Sequence, residues 1–235
     1  MRRALSFALT LCACSSAPVR APAAAPASTG GLVELEAAHR ADQAGDLAGA
    51  RAHLEAAVAR SPDLGLAQVD LADVLIRLGE EGPALAKALQ AGERLEPQNP
   101  RLWRLAGAYA EDQGDAAGAM AAYERALSLR PADARSRFRL AGLYASAGRS
   151  QDAIAAYRAV LALEPSNKGA RLSLAGLLEK QHDLAGAEAE LTALAAQDPD
   201  NALYRDRLHA VQVEQGKAEP VETQRKMRPL RKSRR

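Results

Sequence analysis

Residues 140–165 read LAGLYASAGRSQDAIAAYRAVLALEP. Leu140, Ala141 and Tyr144 form one apolar face, and Ala153, Tyr157, Val160 and Leu161 form a second. Spacings of three and four place each set on one side of an α-helix. Between them Gly148 offers a left-handed turn at little steric cost, and Pro165, which has no backbone N–H to donate, stops the second helix. The stretch therefore predicts helix, turn, helix, stop. It recurs along the chain: Pro62, Pro97, Pro131, Pro165 and Pro199 are separated by 35, 34, 34 and 34 residues. Seventeen residues after each proline stand Gly79, Gly114, Gly148, His182 and Gly216, and Gly45 precedes Pro62 by the same distance. Ala84, Ala119, Ala153 and Ala187 follow the prolines by 22 residues, with Ala50 as their counterpart in the first unit; a small side chain there lets paired helices approach closely. A constant period of this length predicts helical pairs stacked in one dimension, each packed on its neighbours alone.

The composition agrees with a helical stack. Hydrophobic residues make up 48% of the 235 but aromatics only 3%, so alanine and leucine must fill the core, which argues against a β-rich fold. The formal net charge of +2 hides an asymmetry. Residues 217–235 carry eight Lys/Arg and two Asp/Glu, whereas residues 21–216 carry 20 basic and 27 acidic side chains, a net of −7. An acidic body thus precedes a basic tail.

The repeated pattern resembles the tetratricopeptide repeat, which implies an all-α fold: a right-handed α-solenoid of about five helix-turn-helix units. The expected units are residues 31–62, 63–97, 98–131, 132–165 and 166–199. The fourth fits the pattern best. In the second, an extra residue is expected near Gly92; His182 replaces a turn glycine in the fifth, and Leu105 comes one residue early in the third. Beyond Pro199, Leu203, Leu208, Val211 and Gly216 repeat a first helix with no second to follow, so residues 200–216 read as a capping helix.

The amino terminus reads as an address. Met1-Arg2-Arg3 is basic and Ala4 to Ala13 is an uncharged apolar run, the order of a secretory signal peptide over residues 1–13. Its end, Leu11-Cys12-Ala13-Cys14, resembles the lipobox of bacterial lipoproteins, in which a small residue precedes the cysteine that is lipidated. That resemblance implies lipidation of Cys14, and Ser15 after it implies sorting to the outer membrane, leaving the protein anchored at the periplasmic face. The Ala/Pro-rich residues 14–30 then serve as a tether. Residues 217–235 are expected to be a disordered basic tail. Export removes nucleic acid as its partner, leaving anionic envelope polymers, lipid headgroups or an acidic protein surface.

In tetratricopeptide proteins the first helices line a groove that receives a partner. With a one-residue shift allowed in the middle units, Leu35, Val69, Trp103, Phe138 and Leu172 form one series across the first helices, spaced by 34, 34, 35 and 34. One turn further stand His39, Asp73, Gly107, Gly142 and Gly176. Large apolar groups beside glycines are expected to leave room for a protein segment. A glycine inside a helix costs about 1 kcal/mol relative to alanine, so a row of three points to a packing or binding reason. Arg104, Arg139 and Arg207, with Arg101 and Arg135 nearby, flank the strip and suit bidentate pairing with acidic groups.

No catalytic constellation is legible. His39, His53, His182 and His209 fall in separate units without metal-ligand spacing, and neither a phosphate-cradling loop nor a nucleophile elbow occurs. We therefore expect no enzyme activity, cofactor or metal. A lipoprotein carrying such repeats resembles, in architecture and size, the pilotins and assembly factors of type IV pili. The expected function is a scaffold that binds a protein of the envelope assembly machinery, with pilus or secretin assembly as the context. The alternative is an accessory factor that positions peptidoglycan or other envelope enzymes.

Overall fold

A computed structural model describes residues 29–219; Cys14, most of the tether and the tail from residue 220 lie outside the described residues. Among the described residues the secondary structure is eleven α-helices. The first helices of successive units are α1 (Thr29–Gln43), α3 (Gly65–Arg77), α5 (Pro100–Asp112), α7 (Ala134–Ser146) and α9 (Lys168–Lys180). Their second helices are α2 (Leu47–Arg60), α4 (Pro83–Leu95), α6 (Ala116–Leu129), α8 (Ser150–Leu163) and α10 (Leu184–Gln197), and α11 (Ala202–Glu214) follows alone. Each helix packs on the one before it and the one after it, so the fold is an all-α solenoid.

Local chemistry sets the helix ends. Gly45, Gly79, Gly114, Gly148 and Gly216 all have positive φ. His182 occupies the same place at φ 58° and is the one non-glycine with positive φ among the described residues. A side chain in that conformation costs of order 1–2 kcal/mol, which the surrounding packing offsets. After the turn, Asp46, Asp115 and Asp183 cap the second helices by accepting from the N–H groups of Gly49, Gly118 and Gly186 at 2.8, 2.9 and 3.0 Å. Asn99, Asp133, Asn167 and Asn201 cap first helices in the same way. Each satisfies donors that a helix N-terminus leaves without an internal partner.

The prolines do more than stop helices. Trp103 Nε1 donates to the Pro97 carbonyl at 2.9 Å, Arg137 Nη2 to that of Pro131 at 2.5 Å, and Arg171 Nη2 to that of Pro165 at 2.8 Å. The interval is six residues in each case. Three consecutive first helices are thus pinned to the stop that precedes them, by indole in one and guanidinium in two.

The second unit departs from expectation in where its extra residue lies. Gly92 is an ordinary member of its helix: its carbonyl accepts from Glu96 N–H, just as Ala57, Ala126 and Val160 accept from Ser61, Arg130 and Glu164. The extra residue instead falls between the turn at Gly79 and Pro83, where Gly82 caps α4 without a side-chain hydrogen bond. Consequently Ala84 is exposed, and Leu85 takes the buried position held elsewhere by Ala50, Ala119, Ala153 and Ala187.

Apolar burial runs along the stack in three clusters. One joins the first two units to Leu102 and Leu105 of α5, a small one holds Ala119, Tyr123 and Leu140, and a third extends from Ala141 to Val211. Leucine and alanine predominate in it, as the composition required.

Candidate partner-binding face

The first helices keep one register relative to their turns. Helices α3, α5, α7, α9 and α11 each begin fourteen residues before the positive-φ residue that ends the hairpin. Leu35, Val69, Phe138 and Leu172 lie ten residues before their turns, but in α5 that place belongs to Arg104. Trp103 is one residue earlier, about 100° around the helix, at the position of Arg137 and Arg171, and its indole is engaged with Pro97. The expected one-residue shift does not occur, because the extra residue of the second unit has been absorbed before α4. Trp103 leaves the strip and Arg104 enters it.

Gly107 leaves the glycine row for the same reason, with Ala108 in its register position. It is buried, and a Cβ there would lie 2.8–2.9 Å from ring atoms of Tyr123. Gly142 and Gly176 remain in register and are partly open. A Cβ at Gly142 would meet only the Tyr157 hydroxyl, at 3.6 Å, and one at Gly176 only Arg207 Nη2, at 3.4 Å. One glycine admits a neighbouring ring, while the other two thin the surface beside Phe138 and Leu172.

The strip is graded in exposure. Leu35 is 6% exposed and Val69 is fully buried, so both belong to the core. Phe138 and Leu172 are partly exposed and rest against the core of the last units. Phe138 meets Tyr157 edge-on with centroids 5.6 Å apart and planes at 70°, a favourable aromatic geometry that holds the ring in place. An open apolar strip on the first helices therefore begins at the fourth unit.

Arginines bracket the strip, most of them engaged. Arg101 Nη1 reaches Asp70 at 2.5 Å and Nη2 reaches Asp73 at 2.8 Å, while Asp70 also contacts His39 at 2.7 Å. Burial opposes the Arg101 charge, but Asp73 and Asp70 more than offset it and hold the guanidinium pKa above its ordinary value. Arg139 makes a two-pronged contact with Glu111, at 2.7 and 3.2 Å, and Arg207 pairs with Glu179 at 2.8 Å. Glu111 and Arg139 also meet the buried Tyr123 phenol; burial pushes that pKa up, and the hydrogen bond to Glu111 adds to the rise. Arg139 is thereby a bridge between the third and fourth units.

Arg104 differs. Burial and the neighbouring charge of Arg135 lower its pKa, against weaker support from Asp73 and Asp133. Arg104 and Arg135 line one open cleft of about 640 Å³ with Leu66 and Leu163 on its rim. Sequence reasoning named Arg104 only as a flanking residue; counting back from Gly114 instead of allowing a shift would have put it in the strip.

A second groove, of about 910 Å³, runs between α4 and α6 with α5 as its floor. Trp103, Tyr109, Leu89 and Ala106 supply much of its lining, so the tryptophan faces this groove and not the first-helix strip.

Family models described as tetratricopeptide repeat match residues 35–100, 110–153 and 145–210. With the helical pairs, turns and proline stops above, they show that the chain belongs to the tetratricopeptide repeat family. A comparison with curated proteins returns no match. Among solved structures, the chain is similar to PilF of Pseudomonas aeruginosa, at 20% identity and TM-score 0.67 over 80% of this chain and 87% of that one. It is also similar to PilW, described as a widely conserved type IV pilus biogenesis factor, at 18% identity and TM-score 0.65 over 82% and 89%. YrrB, a tetratricopeptide repeat protein described as having an unusual peptide-binding site, aligns at 17% identity and TM-score 0.63 over 74% and 89%. At these identities the likeness is one of fold.

Proposed function

We propose that the chain is a non-catalytic adaptor that receives a segment of a protein partner on its first-helix face, and that Cys14 anchors it by lipid to the outer membrane. The observation that carries the binding reading is the partly exposed pair Phe138 and Leu172, each followed four residues later by an open glycine, Gly142 and Gly176. Apolar side chains held rigid beside a thinned surface gain by covering, and burying each contributes about 1.5–3 kcal/mol. The fold is one that PilF and PilW share, and the latter is described as a pilus biogenesis factor. We therefore place the partner in the envelope assembly machinery, with pilus or secretin assembly as the process served.

A photo-crosslinking amino acid substituted for Leu172 in intact cells tests this. The expected product is a covalent adduct with an envelope protein, lost when Phe138 is replaced by aspartate. Deletion of the gene is expected to leave the secretin unassembled or misplaced. Adducts with no envelope protein, or full secretin multimers in the deletion strain, reject the reading.

A further inference from the structure

We infer that the cleft at the N-terminal ends of α5 and α7 receives an acidic segment of the partner, its carboxylates held by Arg104 and Arg135. The inference rests on the groove reading above and names the chemistry of the ligand.

On the first helices Arg77 pairs with Asp42 at 2.6 Å, Arg101 with Asp70 and Asp73, Arg139 with Glu111, Arg171 with Glu190 at 2.6 Å, and Arg207 with Glu179. The guanidiniums of Arg104 and Arg135 make no hydrogen bond or salt bridge to the described residues, although both line the same cleft. The acidic groups beside them are committed elsewhere. Asp133 caps α7, accepting from the N–H groups of Arg135 and Ser136 and from Ser136 Oγ at 2.7 Å. Glu164 accepts from Asn167 Nδ2 at 2.9 Å.

Two cations are thus held together with no counter-ion in contact among the described residues. Like charges raise the free energy of the unliganded protein, and partial burial of Arg104 strengthens the effect by removing water. An arriving carboxylate reverses the sign of this interaction and fits the guanidinium fork with two parallel hydrogen bonds. Arg130, exposed on the rim, adds a third positive group.

Protein is favoured over a phosphate-rich polymer by what else surrounds the cleft. Leu66 and Leu163 are 42% and 44% exposed at its rim, offering apolar contact that a polyanion does not use. Asp133 and Glu164 also repel dense negative charge, yet leave room for isolated carboxylates beside the arginines. The cleft shares helix α7 with Phe138, so a single extended segment spans acidic and apolar contacts.

The probe is an amidated fluorescent peptide alternating glutamate with leucine, titrated into the purified full chain, with a glutamine-for-glutamate peptide and inorganic polyphosphate as comparisons. The glutamate peptide is expected to bind and the glutamine peptide to fail. Arg104→Gln and Arg135→Gln should each weaken binding about tenfold or more, as loss of a charged hydrogen bond implies. Added salt should also weaken it. Without ligand, Arg104→Gln should raise Tm by relieving repulsion, whereas Arg101→Gln should lower it by removing the cation that Asp70 and Asp73 share. Equal binding of both peptides, unchanged affinity in the double variant, or binding of polyphosphate alone overturns the inference. If a partner still crosslinks at Leu172 when Arg104 and Arg135 are both glutamine, the groove reading survives and the acidic ligand does not.

Discussion

At the scale of single residues, the three glycines that look alike in sequence do different work. Gly107 is open to contact from a buried tyrosine ring, whereas Gly142 borders free space. Gly107→Ala should therefore overpack the third unit and cost about 1–3 kcal/mol. Gly142→Ala should instead stabilise the chain by up to about 1 kcal/mol, since alanine is the better helix former and meets only an ordinary contact. Urea denaturation of the two variants measures both signs, and an equal loss in both would reject the distinction. Trp103 and Arg104 teach the same lesson from the other side. Neighbours in sequence, they point about 100° apart on a helix, so a one-residue misalignment exchanges an indole bound to a proline carbonyl for a cation in the binding strip.

At the scale of the helix, the second helices show how a short motif decides where an element starts. Asp46, Asp115 and Asp183 each accept from the N–H three residues on, and each of those residues is glycine. In α8 the capping place is held by Arg149, which makes no side-chain cap and pairs instead with Asp152 at 2.8 Å. Asp115→Ala should cost about 1 kcal/mol and fray the start of α6, while Asp115→Asn should retain most of the stability. Fluorescence of the single tryptophan, Trp103, reports on the adjoining helix during denaturation; indistinguishable alanine and asparagine variants would count against the cap. The turn glycines were legible in the sequence because turn formation is local, whereas the aspartate caps come from the structure. The position of the extra residue in the second unit was not legible either, since Ala84 and Leu85 both suit a helix and only burial shows which one faces inward.

At the scale of the whole molecule, a stack of units must be closed at its end. Tyr204 and Val211 of α11 are 8% and 4% exposed and cover the apolar side of the last pair, where Leu174, Leu191 and Leu194 are fully buried. Lys217 extends the closure by reaching Glu188 at 2.5 Å, and Gln215 donates to the Leu184 carbonyl at 2.8 Å. Removing residues 200–235 should expose that face, forfeiting about 1.5–3 kcal/mol for each side chain that covers it and promoting self-association. Sedimentation and thermal unfolding of the truncated chain check both; a monodisperse monomer with unchanged Tm would show that α11 is dispensable.

The period, the turn residues and the proline stops, and with them the family, can be read from the amino-acid sequence because each depends on backbone chemistry within one unit. It took the packed helices to show that Leu35 and Val69 are core, that Trp103 binds Pro97, that Arg139 bridges two units and that Arg104 stands beside Arg135 with no counter-ion among the described residues. Those outcomes depend on which faces of neighbouring helices close on each other. A one-residue insertion changes that relation across units while leaving every local signal intact.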